Sequence, residues 1–237
     1  MANTYKCPCM EENNITSSQK ESSMVKRWRT VFSTVRASLS VGMVVIIILA
    51  GCSSTPAPLP PKVAAGLKDL HTKGGLLKGQ IEKTVGALKE LTSKPQADLS
   101  GQFELFSQEL GILEGKVEKA VQQRTAMETV VEDQFLAWEE NLKQLRDEEL
   151  RAKAADRRAA TEATYSEIQQ KLAELRTVWG PFMADLKDIR QYLNDDLTKV
   201  GLQNITPTVN RIYERKPIVI ERLDAVLATL NNAVEKS

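Results

Sequence analysis

Between Tyr165 and Leu193 the large apolar residues fall at Tyr165, Ile168, Leu172, Leu175, Trp179, Phe182, Leu186, Ile189 and Leu193, in unbroken steps of three and four. A helix places such positions on one face, and strict alternation of these steps is the seam of a coiled coil. A half-buried strand would need a period of two. A stripe of this length must be covered by other helices, so the chain has to build a helical assembly around it. The phase runs straight through Gly180-Pro181. Proline removes one backbone hydrogen bond and crowds the preceding turn, which predicts a helix kinked there but continuous.

Three further helices are legible around it. The first spans about Lys62 to Leu91, with Val63, Leu67, Leu70, Leu77, Ile81, Val85 and Leu88 on one face and Gly74 filling one slot. Gly74-Gly75 is expected to loosen it. Ser93 to Gln96, with Pro95, makes the turn, and Asp98 or Ser100 can cap the next helix. The second helix runs from about Asp98 to Arg146 on Phe106, Leu110, Leu113, Val117, Ala120 and Val121. A phase slip near Arg124 is followed by Val131, Phe135, Trp138, Leu142 and Leu145. Arg124 and Gln134 lie close to the seam, where long polar side chains reach out to solvent. The seam helix above is the third; it starts in Asp147 to Leu150 and ends at Asp195-Asp196 and the stretch containing Gly201. The fourth opens at Thr206-Pro207, a capping residue followed by proline in the first turn. It carries Ile205, Val209, Ile212, Val219, Leu223, Val226 and Leu230, with Lys216 in one slot and Pro217 as a kink.

Short turns between amphipathic helices imply an all-α, elongated antiparallel four-helix bundle with coiled-coil character. Helices two and three, of about 45 residues or more, would span about 70 Å, and helices one and four only about 45 Å. The helix two/three hairpin should therefore protrude by about 25 Å, back toward the start of helix one. Its tip, Arg146 to Ala163, reads RDEELRAKAADRRAATEA. Pairs such as Glu149 and Lys153, four residues apart, would brace a solvated tip. Arg151, Arg157 and Arg158 are the candidates for docking onto lipid phosphates or an acidic partner.

The N-terminal part is built differently. Val41 to Cys52, VGMVVIIILAGC, is an apolar run ending in small residues, with basic residues before it and SSTPAPLPP after it. That order is a secretory signal, and Leu49-Ala50-Gly51-Cys52 resembles the lipobox of bacterial lipoproteins. The resemblance implies cleavage between Gly51 and Cys52 and a diacylglyceryl group on the Cys52 sulfur. An uncleaved membrane anchor is the alternative, but Val41 to Ala50 is well short of the roughly 20 residues a span requires. Met24-Val25-Lys26-Arg27-Trp28-Arg29 makes a compact positive start, so residues 1–23 read as a doubtful extension, 24–51 as the signal peptide and 52–61 as a lipidated Cys with a Pro-rich linker. Residues 62–237 are the helical bundle. Cys7 and Cys9 could hold a metal only with further ligands that are not nearby.

From Cys52 onward the chain carries 26 basic and 28 acidic residues, which offers no basic face for nucleic acid. Cys52 is also its one cysteine, so stability must come from packing. The one histidine, His71, lies on a lysine-rich helix without a cysteine partner and reads as a surface residue. Glu139-Glu140, Glu148-Glu149 and Asp195-Asp196 are adjacent pairs, which a helix turns apart, so they do not flank a substrate. No Glu-x-x-His pair, phosphate loop or redox motif is present. Trp138, Trp179, Phe135 and Phe182 sit at seam positions as expected of core aromatics, with a ligand pocket as the less favoured reading.

Phe135-Leu136-Ala137-Trp138-Glu139-Glu140-Asn141-Leu142, Glu149-Leu150-Arg151, Tyr165, Gly180-Pro181-Phe182-Met183, Leu186, Asp188 and Tyr192-Leu193-Asn194 form a familiar order of features. From about Gly101 to Leu230 the chain resembles an uncharacterised bacterial family, a domain of unknown function, of helical envelope lipoproteins. Helix one departs from that pattern. The resemblance implies an elongated helical bundle and supplies no catalytic residue, metal or cofactor. The expectation is a non-enzymatic, lipid-anchored envelope protein with a structural, scaffolding or partner-docking role. It would sit at the outer membrane facing the periplasm, by the absence of Asp beside Cys52, with a protein partner in the envelope and with self-association through the exposed seam of the overhang. A module carrying a hydrophobic ligand or client between its helices, and a regulator of a periplasmic enzyme, are the alternatives.

Overall fold

The structure is a computed structural model that describes residues 59–235. Gly51, Cys52, the signal run, Cys7 and Cys9 lie outside the described residues. Five helices follow one another: α1 (Pro61–Ser93), α2 (Ser100–Gln144), α3 (Glu148–Asp195), α4 (Lys199–Asn204) and α5 (Thr206–Glu235). Among the described residues there is no strand, and no helix is long and apolar enough to cross a membrane.

Local chemistry sets the helix ends. Pro61 occupies the first turn of α1, where a missing N–H costs nothing. The Asp147 carboxylate caps α3 by accepting from the Leu150 amide at 2.9 Å, and Glu148 and Glu149 suit the positive end of that helix. α2 departs from expectation. Leu99 holds its N-cap position, and Asp98, one residue earlier, accepts from the Ser100 amide that opens the first turn, at 2.9 Å. This backbone donor holds the Asp98 carboxyl below its ordinary value. The Gly201 stretch, expected only to end the third helix, forms α4 instead, capped by Thr198, whose hydroxyl accepts from the Gly201 amide at 3.0 Å. α3 and α5 run unbroken through Pro181 and Pro217, and α1 through Gly74-Gly75.

α1 packs against α2 and α5, and α3 against α2 and α5. Polar contacts record the order along each pair. Lys73 and Gln80 of α1 meet Gln123 and Glu109 of α2. Glu114 and Glu128 of α2 meet Arg190 and Gln169 of α3. Glu174 and Asp185 of α3 meet Arg222 and Arg211 of α5, and Lys78 and Glu82 of α1 meet Asp224 and Lys216 of α5. In every pair the numbers rise along one helix as they fall along the other.

The core is divided in two. A larger cluster joins Leu77 to Leu91, Phe106 to Leu113, Phe182 to Leu193 and Leu202 to Leu223. A smaller one joins Val63, Leu67, Leu70, Met127, Val131, Phe135, Ile168, Val226, Leu230 and Ala233. At the level between them no residue of α2 from Glu114 to Ala126, and none of α3 from Gln169 to Pro181, is fully buried. Gly74 of α1 stands at the same level, and a Cβ there would lie 2.8 Å from the Leu227 Cδ2. The seam of α2 is corrected here. Val121 is 48% exposed, whereas Met127 is buried, so the stripe passes through Arg124, which is half-buried and pairs with Glu128 at 3.3 Å.

Candidate docking site at the hairpin end

No residue from Leu136 to Ala160 is buried, although the two helices that carry them continue without a break on either side of Leu145–Asp147. α1 begins level with the root of this segment. Leu59, Val63, Phe135, Trp138, Thr161 and Tyr165 surround an apolar cavity of about 10 Å³ there, at the lower limit for a single water. A drug-sized ligand needs several hundred Å³. The polar groove between α2 and α3 is larger, about 460 Å³ and open, but its Arg190 is already held by the Glu114 carboxylate at 2.9 and 3.0 Å.

The three arginines picked out from sequence are not brought together. Arg157 and Arg158 belong to the root: Arg157 lies over the Trp138 ring at 5.9 Å and Arg158 over the Phe135 ring at 5.5 Å. These are cation–π contacts, strongest where water is excluded. Arg158 also meets Glu162 at 3.4 Å, and its Nε is buried with no hydrogen-bond partner among the described residues. Of the three, Arg151 is the one near the apex, where it lies exposed. Glu149 and Lys153 pair at 2.5 Å, as their spacing predicted, and Lys143 bridges to Glu139 and Glu140 at 3.6 and 3.7 Å. Leu136 and Leu150 are 65% and 55% exposed.

The aromatic group is also divided. Phe135 and Trp138 pair with ring centres 6.0 Å apart beside the smaller core, while Trp179 and Phe182 pair at 6.2 Å beside the larger. Burial pushes the Tyr165 phenol up to about 12, with its oxygen accepting from Gln169 at 2.7 Å. It holds its proton throughout the neutral range. His71 is half-buried on α1. Among the described residues no three His, Cys, Asp or Glu side chains could share a metal ion.

Two polar groups escaped the sequence reading. Gln80 and Thr84, both buried on α1, reach the Glu109 carbonyl of α2 at 3.0 Å each, and Lys116 donates to Gln80 at 3.0 Å. Asp185, also buried, accepts from Arg211 at 3.1 Å and from Arg215, which further reaches the carbonyl of Pro181. A signal was available for the second: Arg211 and Arg215 are four residues apart and share a helix face.

No curated protein and no solved structure matches the chain. One family does, over residues 75–236, which reaches further toward the N-terminus than the resemblance from about Gly101 and takes in the second half of α1. With that match running from α1 to the last turn of α5, the chain belongs to the family described as Protein of unknown function (DUF2959).

Proposed function

We propose that this is a lipid-anchored cell-envelope protein with a structural, scaffolding or partner-docking role and no catalysis of its own. It would be exported, lose its first 51 residues and carry acyl lipid on Cys52, at the outer membrane facing the periplasm. Its helices form an elongated antiparallel four-helix bundle with coiled-coil character, from which the α2/α3 hairpin protrudes. The pairwise order of polar contacts along the helices supports this arrangement. The observation that carries the functional reading is the small-residue ending Leu49-Ala50-Gly51-Cys52 on an apolar run, followed directly by a Pro-rich spacer. Several acyl chains anchor stably where one does not.

The test joins mass spectrometry to crosslinking. Protein from the native host should begin at Cys52 with the mass of attached lipid, and intact-cell crosslinking should recover envelope partners that a Cys52→Ser variant loses. A bare thiol at Cys52, with the preceding residues still present, would overturn the proposal.

A further inference from the structure

The length of chain ahead of Leu59 keeps the hairpin root within reach of the membrane that holds Cys52. Leu59 packs at the hairpin root, beside Trp138 and Thr161, and α1 leads away from the apex. Six residues lie between Cys52 and Leu59, so the seven steps from one to the other span at most about 25 Å fully extended, or about 22 Å as polyproline helix. From Phe135 to Gln144, and from Thr161 back to Glu148, the two arms run about 14 and 20 Å beyond that root at helical rise. With the hairpin directed at the membrane that holds Cys52 and the linker straight, the apex backbone comes within about 5–11 Å of the level of Cys52. A headgroup layer is about 5–7 Å thick on each side of a bilayer. Arg146 and Arg151, at the apex, are long enough to close what remains. In that orientation a shorter path for the linker brings the apex closer still.

The chemistry of the apex suits that layer. Leu150 is 55% exposed at the start of α3, with Arg146 and Arg151 close to it in sequence. Guanidinium groups pair with lipid phosphates while an apolar side chain enters the interface. Two of the three nearby carboxylates are engaged within the hairpin, Asp147 capping α3 and Glu149 pairing with Lys153, while Glu148 sits in the first turn of α3 at its positive end. From Glu139 to Arg158 the hairpin holds six basic and six acidic residues. It is thus not repelled by headgroups, nor dependent on a strongly anionic surface.

We infer that the hairpin apex, Leu145 to Arg151, rests in the headgroup layer of the same membrane that holds the lipid on Cys52. The inference rests on the lipid-anchor reading above. It gives the helices two supports, tether and apex, and holds them upright.

The full chain is expressed in its host as Leu150→Cys and, separately, as Val200→Cys at α4, which is 61% exposed at the far end. Once residues 1–51, which include Cys7 and Cys9, are removed and Cys52 carries its thioether, the introduced thiol is the one left to label. Each protein, labelled with an environment-sensitive fluorophore, is placed in vesicles of phosphatidylethanolamine and phosphatidylglycerol containing a headgroup-attached quencher. The expected result is quenching at position 150 several-fold stronger than at position 200, with the lipid mass present on Cys52. Lipid on Cys52 with equally weak quenching at both positions overturns the inference and leaves the anchor standing. Protection of position 150 in cells, without quenching in vesicles, overturns it in favour of a protein partner. A Cys52 found without lipid removes the anchor itself.

Discussion

A Cβ on Gly201 would stand 2.1 Å from the backbone carbonyl oxygen of Asp196. No side chain fits there unless the backbone moves, because the clash is with main chain and not with a rotatable group. The glycine lets the chain fold back from the end of α3 into α4, with the Thr198 hydroxyl on the Gly201 amide. Gly201→Ala is expected to destabilise by about 1–3 kcal/mol, the usual range for overpacking. The urea midpoint should fall while the slope of the transition stays the same.

Neighbouring glycines of α1 should respond differently. Gly75 faces open space, so Gly75→Ala recovers helix propensity and is expected to stabilise by about 0.5–1 kcal/mol. Gly74→Ala meets Leu227 at 2.8 Å, the flexible end of a side chain, which must shift to make room. That variant should gain less than Gly75→Ala or lose stability, and thermal unfolding of the pair gives the order directly.

Asp185 joins two arginines of α5 while itself buried, and one of them also reaches the carbonyl of Pro181. Asp185→Asn leaves those half-exposed guanidinium groups without their counter-charge. The expected loss is about 1–3 kcal/mol, less than for a fully buried pair because Arg211 and Arg215 keep access to water. A double-mutant cycle with Arg215→Met should give a coupling clearly different from zero.

Glu114 ties α2 to α3 through Arg190 and Lys187, and the hydrogen bonds from Arg190 hold its carboxyl below the ordinary value. A depressed carboxylate adds stability that is complete above the unfolded value, about 4.3, and disappears as pH falls through the folded one. Glu114→Gln should therefore be less stable than the native chain at pH 7, with the difference closing below about pH 4. Urea midpoints at a series of pH values measure this.

Burial separates the two parts of α2. Phe106 is wholly buried and Leu136 is 65% exposed. Phe106→Ala should cost about 3–5 kcal/mol and Leu136→Ala no more than about 0.5 kcal/mol. Amides from about Glu139 to Arg157 should exchange hydrogen faster than those flanking Phe106, since little packing covers them.

The seam from Ile168 to Leu193 was readable because a strict alternation of threes and fours admits only one helical face. The step through Arg124 was misread for a physical reason: a long side chain can line a core with its stem and still ionise at its tip, so a charged letter need not break a stripe. Val121, apolar and close in register, took its place in the reading and is exposed. α4 was missed because six residues between two prolonged helices carry too little periodicity to detect. For the three candidate arginines, Arg151, Arg157 and Arg158, the neighbours were not legible. Nothing in the letters places Arg157 over Trp138 or Arg158 over Phe135, since these contacts join different helices.

The divided core has a mechanical consequence. Among the described residues ten buried side chains hold the cluster nearest Leu59, against twenty-one in the other, and the level between them is half-open. A pull transmitted through the chain ahead of Leu59 loads the weaker cluster first. Opening of the helices is therefore expected to begin at the Leu59 end, before the larger cluster is disturbed.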